Sequence, residues 1–208
     1  MNNINKPVLI VANGEFPSHS IPINILNKSK FIIACDGATN KLYDLGFEPN
    51  LIIGDLDSIN RTVIKKFKQK IIYIKNQEEN DLRKALQFCK SNKLLNINII
   101  GATGQREDHT IGNIFSLNSF KDLNIKLFTN FGCFVNINKP TIFKSFKNQQ
   151  ISIFTENKNL KIDTFGLKYN FKSSPISCLY SGTLNECIGS EFFIKITNGE
   201  LMVYLKYN

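Results

Sequence analysis

Residues 51–58 read LIIGDLDS, a short apolar run that ends in two aspartates. A run of this length, rich in Ile and Leu and bounded by turn residues, predicts a β-strand that is covered on both faces. Four more segments have the same form and end in polar, mostly acidic clusters: residues 8–14 (VLIVANG), 31–37 (FIIACDG), 70–75 (KIIYIK) and 96–103 (NINIIGAT). Residues 125–130 (IKLFTN) close the series.

Amphipathic helical patterns separate these predicted strands. They occupy residues 38–45, which stop before Gly46, and residues 61–68, 80–93 and 108–120. The two longest each have an apolar stripe, formed by Leu82, Ala85, Leu86 and Cys89 in one and by Ile111, Ile114 and Phe115 in the other. Strand–helix–strand repetition implies a parallel sheet with right-handed crossovers. We therefore expect residues 1–124 to form an α/β domain with an open, mainly parallel sheet and flanking helices.

The pattern changes after about residue 124, where helical periodicity gives way to short strands. The predicted strands lie in residues 125–130, 133–137, 141–146, 151–156, 160–171 and 192–207. In the last of these, two alternating runs flank Asn198-Gly199, which is the strongest short signal for a β-hairpin. Residues 125–208 are therefore predicted to form a smaller, all-β antiparallel sandwich or flattened barrel.

Composition argues against several classes of protein. The 208 residues carry a formal net charge of +9, but the lysines are spread along the chain, so we expect no nucleic-acid binding. No apolar stretch is long enough to span a membrane, and the first residues do not resemble a signal peptide. An odd number of cysteines, five, without metal-type spacing indicates free thiols in a reducing cytosol, and hence a cytoplasmic protein.

Aspartates follow the predicted strands at Asp36, Asp55, Asp57, Asp81 and Asp108. Because the carboxyl ends of parallel strands lie along one edge of a sheet, these side chains are expected to meet there. Carboxylates that meet repel each other unless a cation holds them, which indicates a metal ion and a phosphate-bearing substrate. Asp55 and Asp57 point the same way if their backbone is extended, and such a pair suits Mg²⁺. The alternative is that Asp57 caps the next helix and Asp55 supports a turn.

The helix that begins near Asp81 places Asp81 and Lys84 on one face, three residues apart. Its position after a strand favours Asp81 as a metal ligand and Lys84 as a phosphate contact, with Gln77 facing the same cleft. A simple surface ion pair is the alternative.

Residues 101–113 (GATGQREDHTIGN) predict an anion site, since glycines before a helix N-terminus can cradle phosphate. Arg106 suits phosphate oxygens, and Asp108 either binds metal or orients Arg106. His109 is either a helix-start residue or a catalytic one. No Walker or dinucleotide-binding glycine motif is present, which argues against P-loop kinases and NAD enzymes. Asp36-Gly37 either contacts a nucleotide or forms a turn.

Taken together, these segments resemble the thiamine pyrophosphokinase (thiamine diphosphokinase) family. The similar segments, in order, are CDGATN (35–40), IIGDLDS (52–58), NQEENDLRKAL (76–86), GATGQREDHTIGN (101–113), FGLKY (165–169) and SGTLNE (181–186). The resemblance implies a homodimeric enzyme that transfers a diphosphate group from ATP to the hydroxyl of thiamine, giving thiamine diphosphate and AMP. It also implies that thiamine binds where the α/β domain of one subunit meets the β domain of its partner.

The resemblance also assigns roles to residues of this chain. The metal ligands for Mg²⁺ are Asp55, Asp57 and Asp81, with Asp108 close by. The nucleotide is contacted by Asp36, Gly37, Gln77, Lys84, Gly101, Gly104, Arg106, His109 and Asn113, and thiamine by Thr183, Leu184 and Asn185. The catalytic set is Asp55, Asp57, Asp81, Lys84, Arg106 and Asp108. From the chemistry of the transfer, we expect either Asp81 or Asp108 to accept the proton of the hydroxyl.

The chain departs from the family pattern at three points. Leu184 stands where the family has serine, so Thr183 is the nearest hydroxyl, and Asn80 replaces the usual threonine. The chain has no tryptophan, so the substrate's aromatic face would stack on Phe165, Tyr169 or Tyr180. Two alternative functions remain at this point: another Mg²⁺-dependent nucleotide-using transferase of similar fold, and a basic nucleic-acid-binding protein.

Overall fold

The computed structural model describes residues 7–179 and 181–208, which form two compact units that divide between Asn130 and Phe131. The predicted start of the second domain, residue 125, falls inside a strand of the first unit. None of the helices in the described ranges has the length and apolar character needed to cross a lipid bilayer.

The first unit is the α/β fold that the alternating pattern predicts. Its strands are β1 (Val8–Val11), β2 (Ile32–Cys35), β3 (Leu51–Gly54), β4 (Ile71–Tyr73), β5 (Asn96–Ile100) and β6 (Asn124–Phe128). Its helices are α1 (Ser20–Lys28), α2 (Ala38–Asp44), α3 (Arg61–Phe67), α4 (Asp81–Ser91) and α5 (Glu107–Ser116). The strands lie in the order β6-β5-β1-β2-β3-β4, and every neighbouring pair is parallel.

This strand order contains a reversal that determines where a ligand can bind. The chain proceeds from β1 through β2 and β3 to β4 on one side, and then returns to β5 and β6 on the other. Beyond the carboxyl ends of β1 and β5, the connections therefore run in opposite directions and leave a crevice. All the predicted polar clusters of the first unit lie along this edge.

The core forms as the apolar runs predict. All residues of β1 and β2 are buried, and the predicted stripe of α4 is buried at all four positions. The predicted apolar stripe of α5 is not fully buried, because Ile111 is 59 % exposed and Ile114 and Phe115 are half-buried. This helix instead packs through its C-terminal end, where Ser116 and Leu117 are buried.

Helix α1 was not apparent from the sequence. Its sequence, SIPINILNK, contains a proline and two asparagines, which are poor helix formers. Pro22 lies in the first turn, where it removes no intrahelical hydrogen bond. The Nδ1 atom of His19 accepts a hydrogen bond from the backbone N–H of Ile21 and caps the helix.

The second unit is an all-β sandwich, as predicted. Its strands are β7 (Gly132–Ile137), β8 (Thr141–Lys144), β9 (Gln150–Phe154), β10 (Lys161–Phe165), β11 (Ser174–Pro175), β12 (Asn185–Glu186), β13 (Glu191–Ile196) and β14 (Leu201–Lys206). They form two antiparallel groups, β12-β9-β14-β7 and β11-β10-β13-β8. Alternate residues such as Ile151 and Ile153, or Phe192 and Ile194, are buried.

The predicted hairpin around Asn198-Gly199 is wrong. Strand β13 pairs with β8 and β10, whereas β14 pairs with β7 and β9, so the two strands lie in different sheets. A two-residue type I′ hairpin needs positive φ at both central residues. Among the residues described, Gly199 has a φ of +131° but Asn198 is not in the positive-φ region. The segment therefore crosses between sheets instead of closing a hairpin.

Candidate active site

The site begins with the aspartates that follow β2 and β3 in the first unit. Asp36 comes directly after β2, and Asp55 and Asp57 follow β3. One carboxylate oxygen from each lies within 4.8 Å of those from the other two. The parallel strands therefore bring these three side chains together, as the strand-end pattern predicts.

The backbone between Asp55 and Asp57 is not extended, in contrast to the prediction. Leu56 has a φ of +67°, the left-handed conformation, which costs a non-glycine residue about 1–2 kcal/mol. The Leu56 side chain packs against the apolar core of the unit, and this contact offsets the cost. The two carboxylates thus converge through a strained turn, and such turns are concentrated at functional sites.

Asp36 is the most unusual member of this group. Its side chain is only 1 % exposed, and its Oδ1 atom has no hydrogen-bond partner among the described residues. Burial raises the pKa of Asp36 to about 7, although the backbone N–H of Ser58 donates to Oδ2 and opposes the shift. A buried carboxylate oxygen without a partner, beside two further carboxylates, is what a hard divalent cation would satisfy. The residues present therefore fit a Mg²⁺ ion.

Asp81 lies beside this group and is bonded to a lysine. It occupies the first turn of α4, and its Oδ1 is 2.9 Å from Nζ of Lys84. That same Nζ is 3.6 Å from Oδ2 of Asp55, which also accepts a 2.7 Å hydrogen bond from Nε2 of Gln77. Within the part of the chain that the structure describes, the three-carboxylate group includes neither Asp81 nor Asp108. Asp81 is held by Lys84, and Asp108 is on a different helix.

The pKa values of these groups follow from burial and pairing. Burial raises the pKa of Asp81, and the bond from Lys84 offsets this only in part. Burial also acts to raise the pKa of Asp55, but the hydrogen bond from Gln77 and the charge of Lys84 leave it below its usual value. Burial lowers the pKa of Lys84, but its two carboxylate partners outweigh that effect and raise it. Lys84 is thus a buried cation that stays protonated.

Gly54 provides the space in which two of these carboxylates lie. A Cβ atom at this position would be 2.7 Å from Cβ of Asp36 and 3.2 Å from Cγ of Asp81. We expect Gly54→Ala to lower the free energy of unfolding by about 1–3 kcal/mol through overpacking, and to reduce Mg²⁺ binding. Chemical denaturation and calorimetric titration with Mg²⁺ measure the two effects.

Gly112 offers the matched control for that change. It lies inside α5, where a Cβ atom added to it would meet no other side chain of the described residues within 4 Å. Gly112→Ala should therefore raise the stability by about 0.5–1 kcal/mol through helix propensity. If Gly54→Ala were as stable as Gly112→Ala, the close approach of Asp36 and Asp81 to Gly54 would be refuted.

The second part of the site is the loop after β5 and the start of α5. Gly101 and Gly104 have φ values of +69° and +100°, which favour glycine. The loop is tied to the end of β1, because Gly14 N–H donates to the carbonyl of Gly101 and Gln105 Nε2 donates to the carbonyl of Gly14. The N–H of Gly104 donates to Oγ1 of Thr110.

Arg106 and Asp108 form a bidentate ion pair in this region. Nε of Arg106 is 3.1 Å from Oδ1 of Asp108, and Nη2 is 2.6 Å from Oδ2. The bond from Arg106 lowers the pKa of Asp108 to about 2. Asp108 therefore orients Arg106, which is one of the two roles that the sequence left open for it.

These elements enclose a cavity of about 470 Å³. The predicted residues that line it are Asp55, Asp57, Gln77, Asp81, Lys84, Arg106, His109 and Asn113. Seven further polar side chains that line the cavity were not among the predicted site residues: Asn13, Ser58, Glu79, Asn80, Thr103, Gln105 and Thr110. All seven lie within strand-end loops or helix starts, so their positions along the chain were the available signal. Cys35 also lines the cavity, but burial raises the pKa of its thiol, which makes it a poor nucleophile.

The predicted thiamine residues belong to the second unit. Leu184 is 86 % exposed and has a φ of +60°. Asn185 is buried, and its amide is already engaged: Oδ1 accepts from the N–H of Tyr169, and Nδ2 donates to the carbonyl of Tyr169. Asn185 therefore holds the Tyr169 segment in place. Phe165 and Tyr169 are 58 % and 61 % exposed, and Tyr180 lies outside the described residues.

Comparison with known proteins decides the family. The family model for the catalytic domain of thiamin pyrophosphokinase matches residues 23–129, and that for the substrate-binding domain of thiamin pyrophosphokinase matches residues 132–204. The chain belongs to the thiamin pyrophosphokinase family. It is therefore a transferase, and the two alternative functions are not favoured.

Individual members of the thiamin pyrophosphokinase family agree with this assignment. Thiamin pyrophosphokinase 1 of Caenorhabditis elegans is 27 % identical over 203 residues, a match that covers 83 % of this chain and 77 % of that protein. Thiamine pyrophosphokinase of Bacillus subtilis is 33 % identical over 128 residues, 59 % of each chain. The crystal structure of the Bacillus subtilis protein has a TM-score of 0.80 at 20 % identity, covering 98 % of this chain and all of that one. The crystal structure of yeast thiamin pyrophosphokinase has a TM-score of 0.77 at 18 % identity, and the match covers 99 % of this chain and 87 % of the yeast chain. At these identities, the two structures show a shared fold.

Proposed function

We propose that this protein transfers the diphosphate group of ATP to the hydroxyl of thiamine, giving thiamine diphosphate and AMP, with Mg²⁺ as the metal. Family membership supports the reaction. The observation that supports the location of the chemistry is the group formed by Asp36, Asp55 and Asp57, whose carboxylate oxygens lie within 4.8 Å of one another beside the buried Lys84.

Asp36, Asp55 and Asp57 would hold the ion, and the predicted ligand Asp81 would lie next to it. Bound Mg²⁺ supplies charge neutralisation for the transferring diphosphate. Gln77 and Ser58 orient this carboxylate group, since Gln77 donates to Asp55 and the Ser58 hydroxyl donates to Oδ1 of Asp57. The carboxylates are thus held in place before any ligand binds, which lowers the reorganisation needed for catalysis.

Lys84 and Arg106 would bind the phosphates from two sides of the cavity. The Lys84 ammonium donates a hydrogen bond to Asp81 at 2.9 Å and forms an ion pair with Asp55 at 3.6 Å. An ammonium group has three donor hydrogens, so Lys84 can also donate to a phosphate oxygen. Arg106 is exposed and oriented by Asp108, and its planar guanidinium suits phosphate oxygens. The nucleotide contacts of Gly37, Gly101, Gly104, His109 and Asn113 remain predictions.

Asp81 is a better candidate for the base than Asp108. A useful base has a pKa near the working pH. Burial raises the pKa of Asp81, whereas the bond from Arg106 lowers that of Asp108 to about 2. We therefore propose that Asp81 accepts the proton of the thiamine hydroxyl and that Asp108 positions Arg106.

For thiamine, we propose contacts from Thr183, Leu184 and Tyr169, with Asn185 acting through the Tyr169 backbone. The exposed Leu184 and Tyr169 side chains provide apolar and aromatic surface of the kind that a heteroaromatic ring requires. We also propose a homodimer in the cytoplasm, without nucleic-acid or membrane partners. Family resemblance supports the dimer, and the buried free thiols Cys35, Cys89 and Cys187 support a reducing compartment.

The test is AMP formation by the purified protein from ATP. We expect AMP to appear only when both thiamine and Mg²⁺ are present, with one thiamine diphosphate formed for each AMP. Removal of Mg²⁺ with EDTA should abolish turnover, and added Mg²⁺ should restore it. AMP release without thiamine would refute the proposed reaction. Full activity in EDTA would refute the requirement for a metal.

A further inference from the structure

Two asparagine side chains connect the helix that carries Asp81 and Lys84 to the loop after β5. Asn80 is the residue before α4, and its Oδ1 accepts a 3.0 Å hydrogen bond from the N–H of Arg83. Its Nδ2 donates to Oδ1 of Asn113 on α5 at 2.9 Å. Nδ2 of Asn113 in turn donates to the carbonyl of Ala102 at 2.8 Å.

The direction of this chain of hydrogen bonds is fixed at both ends. The N–H of Arg83 can only donate, so the oxygen of Asn80 must face it and the nitrogen must point toward α5. The carbonyl of Ala102 can only accept, so the nitrogen of Asn113 must face it and the oxygen must point back toward α4. Each amide orientation thus requires the other, and the bridge joins a backbone N–H of α4 to a backbone carbonyl of the loop after β5.

The position of this bridge gives it a functional consequence. Asn80, Asn113 and Ala102 all line the cavity. On one side of the bridge, α4 carries Asp81 and Lys84. On the other side lie Arg106 and the loop after β5, which contains Gly101 and Gly104. The bridge therefore sets the separation of two groups of side chains that must act on one substrate.

We propose that Asn80 is a positioning residue, which acts through Asn113 to hold α4 and the loop after β5 in the register that catalysis requires. This inference rests on the proposed diphosphate transfer. Small misplacements of reacting groups cost far more in rate than in binding. Loss of the bridge should therefore reduce kcat more than it raises KM.

The capping and bridging roles of Asn80 can be separated. Serine is a good N-cap, but its hydroxyl is one bond closer to the backbone and falls short of Asn113. Asn80→Ser should keep the Tm of the parent protein and lower kcat by about tenfold. Asn80→Ala should lose both roles, with the same loss of kcat and a Tm lower by about 2–4 °C. Asn92→Ser, at the other end of α4, is the control and should leave kcat unchanged.

A double variant shows whether Asn80 acts through Asn113. If it does, Asn80→Ser/Asn113→Ser should lose no more activity than Asn113→Ser alone. Hydrogen exchange of the α5 amides, measured without substrates, should be faster in Asn80→Ser than in the parent protein. This measurement tests the bridge even if the parent protein forms no AMP, an outcome that would refute the proposed reaction instead. Two outcomes would overturn the inference. One is that Asn80→Ser has the kcat and the exchange rates of the parent protein; the other is that the fold-losses of activity in the two single variants multiply in the double variant.

Discussion

Replacing Asp57 with asparagine is expected to lower kcat for thiamine-dependent AMP formation by about 10³-fold, equivalent to about 4 kcal/mol of transition-state stabilisation. Asparagine has the same shape, and its oxygen can still accept the hydrogen bond that the Ser58 hydroxyl donates to Asp57. The change removes only the negative charge, which a divalent ion requires. Because Asp57 is exposed and lies in a loop, the fold should be unaffected.

Stability separates damage to the site from damage to the fold. Asp57 shares its surroundings with Asp36 and Asp55, and like charges repel when no cation is present. In EDTA, Asp57→Asn should therefore be as stable as the parent protein or slightly more stable, while Mg²⁺ should raise its Tm less. Asp122→Asn is the control, since that exposed carboxylate pairs with Lys90 outside the cavity. Near-parental activity of Asp57→Asn at saturating Mg²⁺ would rule out the metal site.

The fold of the first unit could be predicted because its signals are local. Runs such as LIIG and VLIV need no distant partner to be recognised as buried strands, and Asn80 marks the start of α4 by its own capping bond. The parallel pairing of the strands follows from the connection rules, whereas their order along the edge was not predicted and is seen only in the structure. The meeting of Asp36, Asp55 and Asp57 is a consequence of that order.

The features that the sequence predicted wrongly or missed have the opposite cause. Each of these features depends on contacts between residues that are distant along the chain. The Asn198-Gly199 segment has a hairpin sequence, but β13 and β14 each find both partners elsewhere. Helix α1 has weak propensity and depends on the buried residues Pro22 and Leu26. The raised pKa of Asp36 and its suitability as a metal ligand come from burial and from an Oδ1 atom that has no hydrogen-bond partner among the described residues. No single-residue pattern in the sequence can indicate either feature.

Lys84→Met is the second change with a large expected effect, and it should reduce both activity and stability. The side chain of Lys84 is 3 % exposed, and its Nζ lies 2.9 Å from Asp81 and 3.6 Å from Asp55. Methionine has a similar length but no charge, so a phosphate contact is lost, and kcat should fall by about 10²–10³-fold. The two partly buried carboxylates lose their cation, which should lower the free energy of unfolding by about 1–3 kcal/mol in EDTA.

Magnesium should reverse most of the stability loss of Lys84→Met but little of its loss of activity. A divalent ion on the aspartates replaces the missing positive charge in the resting protein, whereas the phosphate contact has no substitute. Lys90→Met is the matched control on the same helix. Its ion pair with Asp122 is exposed at both ends, so its stability should change by no more than about 0.5 kcal/mol. Denaturation curves with and without Mg²⁺, together with AMP assays, measure both variants. If Lys84→Met behaved like Lys90→Met, the buried cation would be neither a phosphate contact nor a stabilising partner of the carboxylates.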